Sequence, residues 1–180
     1  MKQRWIIVLA LVAPFAATAG TPPVKAGPPA EDMGPLVARL VNDTTLDAKS
    51  QALAFRQLMG LGKAGVPYVI SHLGDSRRLA EQSIWVHGAP GREDVQYQPW
   101  YVHDGLMAVL KEVTGQAKGP LTGHLLPSQR AKNVRKWVTY CVERYPTQAA
   151  VCQRALENTS VTNDGNDPQV AQMNSPPASR

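Results

Sequence analysis

The chain lacks the residue patterns by which common chemistries announce themselves. It has two cysteines and no CxxC spacing, so no dithiol redox motif is present. Its four histidines, His72, His87, His103 and His124, form neither an HxxxH nor an HxH pair, and no acidic cluster accompanies them. Ligand spacing of that kind underlies many zinc sites, and its absence argues against a metal centre. GxSxG, HExxH and the phosphate-binding GxxxxGK[ST] are all missing. No apolar run reaches the ~20 residues of a spanning helix. Charge is short as well: 19 Lys and Arg stand against 14 acidic residues, a formal +5.

The first twenty residues, MKQRWIIVLALVAPFAATAG, have the layout of a secretory signal. Lys2 and Arg4 supply the positive start, Trp5 to Ala16 the short apolar core, and Ala17-Thr18-Ala19 the small residues read by a signal peptidase. Cleavage after Ala19 is expected, with no stable membrane anchor afterwards and a periplasmic or secreted location. Without residues 1–19, 17 cationic residues face 14 acidic ones, a net +3. That small, dispersed charge gives no footprint for nucleic acid. Residues 20–30 are a Pro-rich linker that favours extended backbone. Residues 158–180, rich in Asn, Asp, Ser and Pro, are expected to form a disordered tail. Between them, residues 31–157 make one domain.

The domain is expected to be all-α. Leu36, Val37 and Leu40 have helical spacing within 33–43. Ala48, Ala52, Phe55, Leu58 and Met59 form a stripe within 46–59, with Thr44 or Thr45 as the cap. Gly60 and Gly62 end that helix, and Pro67 is placed in the first turn of the next, whose stripe is Val66, Val69, Ile70 and Leu73. A short link between amphipathic helices favours antiparallel neighbours. GPLVARLVND and GVPYVISHLGD, about 32 residues apart, share a Pro near the start, an apolar pair, a following Leu and a final Asp. With Ala52, Leu58, Leu61-Gly62, Ala64, Pro67, Val69, Leu73, Asp75 and Arg77, the stretch 31–78 resembles a HEAT-like helical repeat. The resemblance implies a short stack of antiparallel helix pairs, an α-solenoid fragment, and no particular chemistry.

Residues 79–100 break the pattern and read as an irregular insertion loop. Helical spacing returns at 101–114, where Val102, Leu106, Val109, Leu110 and Val113 share a face opposite Asp104, Lys111 and Glu112. It returns again at 128–145, capped by Ser128, with Val134, Trp137, Val138, Cys141 and Tyr145. Cys141 and Cys152 flank the helix break at Pro146 almost symmetrically, which places them opposite one another in an antiparallel hairpin; a disulfide is expected.

Aromatics and arginines gather around the insertion, and these residue types dominate binding hot spots. Arg77, Arg78, Trp85, Arg92 and Tyr97 are therefore the candidate partner-binding residues. Trp85 and Trp100 can instead serve to fold the loop onto the helices. The basic face of Lys132, Arg135 and Lys136 is a second candidate surface. The resemblance to stacked helix pairs implies an extended surface that suits recognition better than catalysis. The expectation is therefore a non-catalytic module that binds another protein, without cofactor or metal, of an inhibitor, immunity or envelope-scaffold type. The rival class is a periplasmic enzyme acting on cell-wall or glycan material through a cleft near His103, with Glu112. Convergence of His72, His87, His103 and Glu112 in one pocket would favour it.

Overall fold

The computed structural model describes residues 32–88, 91, 93–121, 123 and 125–162. The expected signal segment, the linker, residues 163–180, Arg92 and His124 lie outside the described residues. The described chain is mostly helical: α1 (Gly34–Asp43), α2 (Ala48–Gly60), α3 (Gly62–Ser71), α4 (Val102–Thr114), α5 (Pro127–Arg144) and α6 (Ala149–Thr162), with strands β1 (Ile84–Val86) and β2 (Val95–Tyr97) between α3 and α4.

Local chemistry sets the helix ends. Asp32 Oδ1 accepts from the Gly34 N–H at 2.9 Å at the start of α1. Asp47, not Thr44 or Thr45, caps α2, its Oδ1 accepting from Lys49 N–H and Ser50 N–H at 2.9 and 3.0 Å. Gly62 breaks the chain between α2 and α3 by adopting φ +57°, a conformation that side chains with a Cβ resist. Because α3 already begins there, Pro67 falls inside the helix rather than in its first turn. It removes one helical hydrogen bond, the one Lys63 C=O would accept. Lys63 is solvent-exposed, so water can replace that donor. The last long helix starts at Pro127 instead of Ser128, where Gln129 Oε1 accepts from Leu126 N–H at 2.8 Å.

The core forms around α4. Every residue from Val102 to Leu110 is buried, so the expected division into an apolar and a solvent face fails at Asp104. A helix buried on all sides sits among neighbours: α2 and α3 pack on α4, α6 packs on α3 and α5, and α1 on α2. The α2–α4 approach depends on Gly105. A Cβ there would lie 2.5 Å from Phe55 Cζ. Trp137 of α5 is fully buried, its Nε1–H directed at Met107 Sδ at 2.9 Å. Val37, Leu40 and Val41 are the buried residues of α1, while Leu36 is exposed.

Cys141 and Cys152 are disulfide-bonded, with Cα atoms 5.9 Å apart, joining α5 to α6 across the Pro146 turn. The helix continues past residue 157, where the sequence suggests a tail. Asn158 Nδ2 donates to Ser71 C=O at 3.0 Å and Leu73 C=O at 3.3 Å, supplying the end of α3 with donors.

The insertion at 79–100 is not irregular throughout. Ile84 pairs with Tyr97, Trp85 with Gln96 and Val86 with Val95 in an antiparallel hairpin. Ile84 and Tyr97 are buried, and Trp85 points outward on the alternate face. Backbone bonds close the base of the excursion: Leu79 N–H to Trp100 C=O at 3.1 Å, Val102 N–H to Arg77 C=O and His103 N–H to Asp75 C=O, both at 3.0 Å.

Candidate partner-binding groove

The hairpin is tied to α2 by one side chain. Gln51 is buried, yet its amide is fully used: Nε2 donates to Glu81 C=O at 2.9 Å and Ser83 C=O at 3.1 Å, and Oε1 accepts from Glu81 N–H at 2.8 Å. These bonds hold β1 beside α2 without closing it against the helix. A groove of about 620 Å³ runs between them, within the range of ligand sites. Ala48, Ala52, Phe55, Arg56 and Met59 line it from α2, and Glu81, Ser83, Ile84, Trp85, His87 and Asp94 from the hairpin side. Ala48 and Ala52 belong to the expected core stripe of 46–59; the structure leaves both exposed and buries Gln51 and Ala54 instead.

Trp85 is 54% exposed at the groove wall, a large ring kept in water. Beyond it, His87 Nδ1 lies 2.9 Å from Asp94 Oδ2, and Asp94 Oδ1 accepts from Gly88 N–H at 3.0 Å. The His87 contact, then the Gly88 bond, hold the Asp94 carboxyl below its ordinary range, so it is ionised at neutral pH.

Of the candidate set, Trp85 lines this groove. Arg77 is engaged elsewhere, its guanidinium bonded to Asp75 at 2.6 and 3.0 Å and to Asn42 Oδ1 at 2.9 Å. Arg78 stacks over the Trp100 ring at 4.9 Å, which fastens the base of the excursion. Tyr97 is 7% exposed; its hydroxyl donates to Glu112 Oε1 and accepts from Lys111 Nζ at 2.9 Å. Burial, then the Glu112 bond, raise that phenol above its usual pKa.

The groups invoked for an enzyme are dispersed. His87 lines this groove, and His72 lines a separate groove of about 470 Å³ with Tyr68, Arg154 and Glu157. His103 is sealed in the core, its Nδ1 accepting from Gly74 N–H at 3.1 Å, and burial, then the charge of Arg130, push its pKa down to about 3. Neither groove is lined by His103 or Glu112. Among the described residues no three His, Cys, Asp or Glu side chains gather as metal ligands, and no helix is long and apolar enough to cross a membrane.

Sequence reasoning missed Ala48, Ala52, Arg56, Met59, Glu81, Ser83, His87 and Asp94. The available signal was the β-prone Ile84-Trp85-Val86 and Val95-Gln96-Tyr97 on either side of Pro90-Gly91, a hairpin pattern. Comparison with family models, curated proteins and solved structures finds no match to the chain, so the groove is read from its own geometry.

Proposed function

We propose that this is an exported, non-catalytic protein-binding module, built as a short HEAT-like stack of helix pairs, which engages its partner through the groove between α2 and the hairpin. The observation that carries this reading is Trp85, a large ring exposed beside an apolar floor and a polar rim. Exposed aromatics over a concave apolar surface are where binding energy concentrates. An inhibitor, immunity or envelope-scaffold role suits such a module. The Cys141–Cys152 disulfide supports an oxidising compartment, in keeping with the signal-like residues 1–19. The enzymatic alternative draws no support from His103, which is neutral and sealed from substrate.

The test is capture of periplasmic partners by the exported chain and by two variants, Trp85→Ala and Ala52→Glu. Both positions are exposed, so melting should stay within about 1 kcal/mol of wild type. Loss of the captured protein from both variants supports the groove. Retention by both places binding elsewhere, with the basic face of Lys132, Arg135 and Lys136 as the next surface to mutate. Intact-mass measurement checks export: mature protein should begin at or near Gly20.

A further inference from the structure

We infer that the occupant of this groove is an extended peptide segment of the partner protein, which adds to the outer edge of β1 as a third strand. This rests on reading the groove as the binding surface. Side chains of successive strand residues point to opposite faces, yet Ser83, Ile84 and Trp85 all line the groove. A groove that meets consecutive residues runs along the edge of the strand, not across one face. The direction of that edge is fixed by Gln51: Ser83 C=O points at α2, where it accepts from Nε2. Two residues further along an extended chain, the N–H and C=O of Trp85 point the same way. Among the described residues β1 has one neighbouring strand, β2, so beyond the Ser83 C=O that Gln51 holds, this outer edge carries no strand. An unpaired edge is a template for another strand.

The walls say more about the segment. Ala48 and Ala52 are small and exposed, leaving room for an apolar side chain over α2. Glu81 and Arg56 line the groove with opposite charges, and the ion pairs among the described residues, Arg77–Asp75 and His87–Asp94, use neither. Gln51 binds Glu81, and Arg56 lies further along α2, roughly 7 Å away at the rise of a helix. The complementary segment carries a basic side chain for Glu81, an acidic one for Arg56, and an apolar one on the face turned to Ala48 and Ala52.

The test selects a displayed library of random dodecapeptides against the exported chain, then synthesises the enriched peptides with single backbone N-methyl groups. Strand addition requires that N-methylation of the one peptide residue paired with Trp85 weaken binding about tenfold, and of the residues on either side of it little. A three-residue strand turns only Trp85 to this edge, and Gln51 already holds the Ser83 C=O. It also requires Ala52→Glu to abolish binding, and the double variant Arg56→Glu with Glu81→Lys to prefer peptides whose charges are exchanged. Binding that Ala52→Glu abolishes but that no single N-methyl group weakens selectively overturns the strand and leaves the groove standing. Binding indifferent to Ala52→Glu overturns both, and so does failure of the library to enrich any peptide.

Discussion

His103 and Asp104, consecutive residues at the start of α4, should give the protein a pH dependence that is hidden until one of them is replaced. Both are buried, and His103 Nε2 and Asp104 Oδ1 have no hydrogen-bond partner among the described residues. Burial pushes the two pKa values apart from their ordinary order. Asp104 is raised from 3.8 to about 6 by desolvation, offset in part by Arg130 and by backbone bonds from Tyr101 and Trp100. His103 is lowered from 6.5 to about 3 by desolvation and then by Arg130. For Asp104 the native state holds the extra proton. Its stabilising contribution is complete below pH 3.8 and is lost as pH rises to about 6, about 3 kcal/mol in all. For His103 the unfolded state holds the extra proton. Its contribution is complete above pH 6.5 and is lost as pH falls towards 3, about 5 kcal/mol.

Between pH 4 and 6 the two slopes oppose each other and nearly cancel in the wild type. Asp104→Asn keeps an oxygen to accept from Tyr101 N–H, which Asp104 Oδ2 now does at 3.3 Å. It removes the acid's slope, so its stability relative to wild type should climb by about 3 kcal/mol from pH 4 to 6. His103→Asn keeps an acceptor for Gly74 N–H, and its relative stability should fall across the same interval. Urea denaturation of the three proteins at half-unit steps measures this, and each variant is judged on its slope against wild type rather than on its absolute stability. Parallel curves for all three proteins would mean that neither group is sealed from water, and the placement of α4 as the buried central helix would be wrong.

Gly105→Ala should destabilise by about 1–3 kcal/mol in chemical denaturation despite alanine's better helix propensity, because the new Cβ meets the buried Phe55 ring at 2.5 and 2.9 Å. Phe55→Leu in the same chain should recover part of that loss. Replacing both Cys141 and Cys152 by serine should cost about 2–3 kcal/mol, as expected for the short loop between residues 11 apart. Reductant should lower wild-type stability similarly and leave the double variant unchanged. Gln51→Ala should cost about 1–3 kcal/mol and free the hairpin from α2. The readout is hydrogen exchange at the Glu81 amide, which donates to Gln51 in the wild type and should lose its protection.

What the sequence made legible was local. The apolar spacing at 33–43, 101–114 and 128–145 locates helices because a stripe repeats within a few turns. The Cys141–Cys152 pair was readable because Pro146 sits midway between them. Errors arose wherever a distant residue decides the outcome. Gln51 looks like a solvent residue until the backbone of residues 81–83 arrives to satisfy its amide, and its burial rotates the α2 stripe away from Ala48 and Ala52. Asp104 looks like the polar side of an amphipathic helix until packing on all sides encloses it. Residues beyond 157 lack an apolar period, yet Asn158 extends α6 through bonds to the end of α3. Strands of three residues offer few alternations, so Ile84-Trp85-Val86 and Val95-Gln96-Tyr97 stand out from loop only when read together around Pro90-Gly91.

The same distinction decides how the candidate site was read. Counting arginines and aromatic rings near the insertion ranks Arg77, Arg78, Trp85 and Tyr97 together, since each has the chemistry of a hot-spot residue. Availability separates them, and availability is a property of partners. Asp75 and Asn42 occupy Arg77, the Trp100 ring occupies Arg78, and Glu112 and Lys111 occupy the Tyr97 hydroxyl. The Arg78–Trp100 contact closes the base of the insertion, and the Tyr97 contacts fasten the hairpin to α4. Trp85 remains in water because its strand neighbours Ile84 and Val86 point to the opposite face, so the alternation that buries Ile84 is what exposes it. The exposed alanines follow from the same constraint. With Gln51 spent on holding the hairpin, no described residue covers Ala48 and Ala52 on the adjoining face of α2, and a surface both apolar and concave lies beside the exposed Trp85 ring.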